Sequence, residues 1–372
     1  MKNILLVLLV LAHVLAIVAR VRYGGGEAYD DLTGAPVIEA SLLEEVLAYP
    51  EPIGNVAVSS SGRIFFTVHP EARPTGNKLL EFVDVAAVPF PSIQQQAELF
   101  DTPLGIVIDR YDRLWTIDHG NHGLRSAKVV GIDLANEDVI RQHALPADIA
   151  PAGSFLQDLQ VSADGRTIVI ADASFWRKRP AIIVYDIETG DARRVLESHW
   201  SVSAEDYVIR NAGREMSFFK GLVTLRGGID GIALGPEWLY FGALSGSELY
   251  RIRLSDLRDA NLPQSQMEKR VESYSIKPLS DGLSIDVDGN VYITDVEHHA
   301  IFAVDRNRDL RTLLQSYNLR WPDALSFGPD GWLYVADSAL GDVVLKSREH
   351  IESQAPYRVF RFKPGVEGTP GQ

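Results

Sequence analysis

Aspartate recurs in this chain at one kind of place, the first or last residue of short apolar strands. Asp158, Asp230, Asp281 and Asp323 open such segments, and Asn55 and Gly105 open two more. Asp118, Asp172, Asp295 and Asp337 close them, with His119, Glu297, His298 and His299 just beyond. Carboxylates and an amide gathered from distant points make an oxygen-rich ring, which suits a hard cation such as Ca2+ or Mg2+. They equally suit a cationic organic ligand. On that reading Asp230, Asp323, Asp295 and His298 supply charge and hydrogen bonds, and Trp321, just before Pro322-Asp323, stacks on an aromatic or amine group. Each aspartate also has a competing structural duty, because Asp before Gly caps turns by accepting backbone N–H groups. That duty does not account for all of them, since like charges around one axis repel unless a cation sits among them.

The elements that must position these groups are hairpins. Six segments share one pattern of apolar strand, polar turn and second strand rich in β-branched and aromatic residues. They run from Asn55 to His69, Gly105 to Asp118, Asp158 to Asp172, Asp230 to Leu244, Asp281 to Asp295 and Asp323 to Asp337. SADG, DVDG and GPDG place Gly where a tight turn needs positive φ. The copies start about 40 to 70 residues apart, the period of propeller blades. Two further strands fit into each period, as in AIIVYDI followed by ARRVL. The expected fold class is therefore all-β, a six-bladed β-propeller over residues 49–364, with an N-terminal signal or anchor helix. In such a ring the opener and closer of each copy share one mouth of the channel. A β-sandwich with similar hairpins is the alternative, but it has no reason to repeat Asp-Gly at this period. Ser41 to Tyr49 begins S-x-x-E and predicts a short helix within a 23–48 linker. The long stretch from Ser198 to Gly228 predicts a loop over one face, and residues 365–372 a disordered tail.

Composition narrows the function. The chain has 372 residues, 36 basic against 50 acidic, and a net charge of -14. A surface that acidic repels phosphate backbones, which argues against nucleic acid as a partner. Cysteine is absent, which excludes disulfides, thiolate metal sites and a cysteine nucleophile. No G-x-S-x-G, phosphate loop or H-E-x-x-H occurs. Lys2 precedes an apolar run from Ile4 to Ala19, followed by Arg20 and Arg22. Residues 1–22 read either as a secretory signal or as an uncleaved anchor just long enough to cross a bilayer. Ile17 spoils a small-x-small cleavage site at Ala19. Both readings place the folded part outside the cytoplasm, in contact with a membrane only through this segment.

Several segments resemble the yellow and major royal jelly protein family. They are FLQDLQVSADGRTIVIADAS, AIIVYDIETGDARRVL, the Asp230 hairpin through SELYRI, LWTIDHG at Leu114 to Gly120, and WPD at Trp321 to Asp323. The similarity covers roughly Tyr49 to Phe362. It implies a six-bladed propeller related in architecture to the gluconolactonase and strictosidine synthase group. It also implies export, as in the insect branch, where some members bind small amines in the central cavity. The lack of cysteine departs from the insect pattern. In gluconolactonase-like relatives a Glu, an Asn and an Asp at strand openings hold one divalent ion. By that resemblance Asn55, Asp158 and Asp281 are the candidate ligands for one Ca2+ or Mg2+, although no Glu occupies an opener. His119, next to Asp118 in a motif that carries the resemblance, becomes the candidate catalytic base, with Asp118 beside it.

Three functions follow as expectations. The first is a binding module for a small cationic or aromatic molecule. The second is a divalent-metal-dependent hydrolase of lactonase type. The third is a tautomerase or isomerase, in line with the family's association with dopachrome conversion.

Overall fold

The structure is a computed structural model and describes residues 2–372. The six hairpin repeats each grow into an antiparallel four-stranded sheet. Blades 1 to 5 occupy residues 53–89, 103–144, 156–195, 229–276 and 283–315, and blade 6 is built on 322–362. The innermost strands touch in chain order, and the sixth touches the first, so the ring closes. Inner strands such as Ile53–Val58, Pro103–Ile108 and Ile229–Leu234 are buried along their whole length, which is why they read as continuous apolar runs. Outer strands such as Val139–Ala144 alternate half-buried and exposed positions. Between blades the inner and second strands pack into shared cores. Val107 and Trp115 of blade 2, for example, meet Leu159, Val161 and Ile168 of blade 3.

The Asp-Gly openers have a packing cause. Five of the six inner strands carry an irregular register at the opener, between Ile229 and Ile232 for example, or between Pro322 and Ala324. Such a bulge turns one side chain toward the axis. It also presses neighbouring strands together there. A Cβ on Gly231 would lie 2.2 Å from the Asp281 carbonyl oxygen, and one on Gly282 would lie 2.3 Å from that of Asp323. Only glycine fits beside the next blade's opener.

Blade 6 takes its fourth strand from the other end of the domain. Glu44–Tyr49 pairs antiparallel with Tyr357–Phe362, backed by ion pairs from Arg361 to Glu44 and from Arg358 to Glu45, both 2.8 Å. This corrects the helix expected at Ser41 to Tyr49. Only a 3-10 turn forms, at Ala40–Leu42, because the free edge of Tyr357–Phe362 gives this backbone a complete ladder.

The 198–228 segment lies over one face as expected. Its two small hairpins bury Met216 in a core shared with blade 6, and Asn211 donates to the carbonyls of Val296 and Arg320 at 2.7 Å each. The last eight residues are not disordered. They cross the opposite face, where Val287 N–H donates to Glu367, Ile108 N–H to Gly371 and Phe327 N–H to Gln372. The Gln372 side-chain amide reaches the Val161 carbonyl at 3.0 Å. Four blades are thereby tied across the base of the axis. Lys2–Tyr23 forms α1, a 22-residue helix that stands clear of the ring except at its last turn.

Candidate functional site

Openers and closers share one face, as expected, but the closers serve a structural role there. Asp118 is fully buried and accepts from the backbone N–H of Asp101 (2.6 Å), Thr102 (2.9 Å) and Gly120 (3.0 Å), with Lys128 Nζ at 3.4 Å. Asp172 does the same for Phe155 N–H, and Asp337 for Trp321 N–H. Each clamps the start of its blade to the end of the second strand. Asp118 is therefore not free for proton transfer. Asp295 accepts from the N–H groups of Glu297 and His298 and from His298 Nδ1 at 3.0 Å. The half-buried His298 ring points toward Asp31, 3.7 Å away in the linker, and the bond it donates to Asp295 raises its pKa. Neither residue lines the axial pocket, so both are placed outside the ligand site predicted for them. Trp321 is fully buried in the core, its Nε1 donating to Asp281 Oδ2 at 2.7 Å. It orients a carboxylate and has no face open for stacking.

The openers do converge. Asn55, Gln157, Asp158, Asp230, Asp281 and Asp323 surround a hollow of about 20 Å3 on the axis, room for about one water. Asp281 also accepts from Gln157 Nε2 at 3.2 Å. Asp158 accepts from the backbone N–H groups of Leu159 (2.8 Å) and Ile232 (3.3 Å). In contrast, Asp230 Oδ2 and Asp323 Oδ2 are buried with no hydrogen-bond partner among the described residues. Burial, with Asp281 close by, pushes both of these carboxyls well above the usual carboxylate range. Burial also lifts Asp158 to about 7, against the pull of its two N–H donors. Asp281 rises to about 7 for the same reason, against its bonds from Trp321 and Gln157.

Lys277, which sequence reasoning missed, is fully buried nearby. Its Nζ donates to the Pro278 carbonyl (3.0 Å) and to Ser280 Oγ (2.9 Å). Burial brings its pKa down to about 7, with Glu205 and Asp230 pulling the other way. Its methylenes lie over Gly242, where a Cβ would come within 2.4 Å of Lys277 Cε.

Above the hollow, toward the face covered by the 198–228 segment, lies a larger cavity of about 110 Å3. Asp230 and Gln157 form part of its lining, and Phe155, Phe175, Trp176 and Phe218 are among the aromatic walls. Two histidines join them. His69 accepts from Glu71 N–H on Nδ1, so its Nε2 carries the proton. That N–H is buried and lies 3.8 Å from Asp323 Oδ2, too far for a hydrogen bond. Burial lowers the His69 pKa to about 4, so at neutral pH the imidazole is uncharged and this contact is not a salt bridge. His122 Nε2 meets Glu71 Oε1 at 2.8 Å, and its ring stacks on Phe155 at 4.6 Å. Asn121 and His122 both adopt positive φ, a strained turn of the kind found at ligand sites. His119 stands behind this wall, edge-on to Phe155. Its Nδ1 accepts from His122 N–H, and burial drives its pKa well down. His119 is a neutral imidazole that positions the His122 turn.

The oxygen donors do not fit the expected metal triad. Asp158 and Asp281 spend their oxygens on N–H donors, and among the described residues no group of three or more His, Cys, Asp or Glu is arranged to hold an ion. His69, Glu71, His122, Phe155, Trp176 and Lys277 are the site residues missed from sequence. A second histidine three residues after His119, two positions past the end of the same motif, was the one available signal.

The fold and the axial site define a closed six-bladed propeller with an apolar cavity over an acidic floor. The family model for the major royal jelly proteins matches residues 102–327, and the chain belongs to that family. Major royal jelly protein 3 of Apis mellifera is 24% identical over 219 residues, covering 55% of this chain and 38% of that protein. Major royal jelly protein 1 of the same species is 22% identical over 232 residues, covering 57% and 51%. The chain thus spans about half or less of the length of these relatives. Similar solved structures share the fold. A luciferin-regenerating enzyme superposes with a TM-score of 0.57 at 10% identity, over 88% of this chain and 97% of that one. A calcium-binding protein, regucalcin, from Agrobacterium tumefaciens gives 0.55 at 14%, and a gluconolactonase from Xanthomonas campestris 0.54 at 14%, each over 91% of this chain and 97% of theirs.

Proposed function

We propose that this protein is an exported binding propeller whose cavity takes a small organic cation with an apolar or aromatic body. One observation carries the reading: Asp230 reaches the floor of an aromatic-walled cavity with a buried carboxylate oxygen that none of the described residues satisfies. An unpaired carboxyl in such a place stays protonated, and an arriving ammonium group lets it ionise and pair. Phe155, Phe175 and Trp176 then hold the apolar body, and a ring face toward the cation adds attraction. A lactonase-type hydrolase stands second, because it needs a bound divalent ion and the axial carboxylates leave few oxygens free for one.

Calorimetric titration with a panel of arylalkylamines and their uncharged isosteres tests this. The amine should bind and the isostere should not. Binding should release protons to buffer, and affinity should rise with pH as the floor carboxyls become easier to ionise. Asp230→Asn should remove about 1.5–3 kcal/mol of binding, typical of a hydrogen bond to a charged group, which is roughly tenfold to a hundredfold in Kd. Equal binding of amine and isostere, or no effect of Asp230→Asn, overturns the reading. A melting temperature raised by Ca2+ or Mg2+ alone would favour the hydrolase instead.

A further inference from the structure

The cavity mouth and the apolar helix meet at one place. Arg22 Nη2 donates to the Arg177 carbonyl and Tyr23 Oη to the Trp176 carbonyl, both at 2.9 Å. Arg20 bonds the Gly221 carbonyl, and Gly24 O accepts from Arg226 Nη2 at 2.8 Å. The Tyr23 ring packs on Phe175 (6.3 Å) and Trp176 (5.8 Å), two residues of the cavity wall. The last turn of α1 is thus bound to both loops that flank the mouth. The remainder of the helix is solvent-facing, apolar over Asn3–Tyr23 and without a contact that would bury it. At 1.5 Å per residue it is about 33 Å long, enough to cross the hydrocarbon core.

The rim around the mouth shares its character. Trp176 is 43% exposed, Phe219 65% and Leu345 52%, and Trp176 and Leu345 also line the cavity. Arg20, Arg22 and Lys220 stand beside them on a chain whose net charge is -14. Exposed aromatic side chains beside cations are what the headgroup region of a bilayer accepts, and Lys220 together with the guanidinium N–H groups that Arg20 and Arg22 do not spend on carbonyls can meet phosphates.

We infer that α1 is retained as an anchor and that the cavity opens onto the bilayer surface, with the Phe219–Trp176–Leu345 rim seated among anionic headgroups. The opposite face, where the 365–372 segment crosses, then points to water. Access to the cavity is from the lipid interface, which selects amphiphilic molecules that already partition there. This orientation does not depend on what the cavity binds.

The absence of native cysteine allows one label per molecule. Full-length protein carrying Phe219→Cys, Leu345→Cys or Val287→Cys is labelled with an environment-sensitive dye and reconstituted in phosphatidylcholine vesicles containing a minor share of phosphatidylglycerol. Val287 is exposed at a hairpin tip on the far face. Quenching by spin-labelled lipid should be several-fold stronger at positions 219 and 345 than at 287, and the contrast should weaken with salt or without phosphatidylglycerol. Equal quenching at all three positions overturns the inference. So does N-terminal sequencing of the exported protein that finds α1 removed. The readout uses no cavity ligand, so a failure of the amine-binding reading leaves it unaffected.

Discussion

Four carboxyl groups around a space for one water cannot all be charged. The chain answers by keeping protons on them, and this gives folding a distinctive pH dependence. Asp158 and Asp281 would titrate near 3.8 in the unfolded chain but hold their protons to about 7 when folded. Between those values the folded state binds more protons than the unfolded one, so stability is fullest below about pH 4 and falls as pH rises toward 7. Other groups oppose this: Asp164 at low pH, its pKa falling to about 2 through its bond from Arg258 against the cost of burial, His69 between about 4 and its unfolded value, and Lys277 above about 7. The four axial carboxyls outnumber these opposing groups, so the fall should be clearest between pH 5 and 7 and continue more weakly to 8. The melting temperature of ligand-free protein should drop across that range, and Asp323→Asn, which removes an unsatisfied acid without breaking a hydrogen bond to Oδ2, should flatten the drop. An unchanged slope would mean the axial carboxyls ionise normally. At this scale sequence was a partial guide. It marked the openers that reach the axis, but Asp118, Asp295 and Trp321 look equivalent to them in a string of letters. Which oxygen meets a backbone N–H and which meets empty space depends on a bulge and a rotamer, and neither has a sequence signature.

Strands and their connections were far more legible. Hairpins with a turn glycine, repeated at blade spacing, carry their geometry in local sequence, and the six repeats fall where the pattern puts them. Gly231 shows why the Asp-Gly pair recurs, since its missing Cβ is what lets blades 4 and 5 meet. Gly231→Ala forces a methyl against the Asp281 carbonyl at 2.2 Å and should cost about 1–3 kcal/mol, as overpacked sites do. Urea unfolding should show it, whereas Gly76→Ala, with nothing within 4 Å of the added carbon, should be close to neutral. Elements whose partner is remote were harder to read. Glu44–Tyr49 has a helix-start signature yet becomes a strand, because its partner lies more than three hundred residues away. The 365–372 tail reads as polar and Gly/Pro-rich, and nothing local announces the four blades it bridges.

At the scale of the whole molecule, that tail decides the topology of the channel. Gly371 and Gln372 line the lower side of the axial hollow, and Ser284 Oγ donates to the Gln372 carbonyl at 3.2 Å. Deleting residues 365–372 should leave a folded ring, since no blade strand is lost, but should admit water beneath the four carboxyls. Their titration should move back toward ordinary carboxylate values, and the fall in melting temperature between pH 5 and 8 should shrink. A truncated protein with the full slope would show that the tail is mere packing. With its floor sealed, the propeller is a blind vessel instead of a conduit. Guest and displaced solvent must then use the same doorway in turn, so anything that crowds the rim should slow capture and escape by the same factor and leave the equilibrium between them untouched.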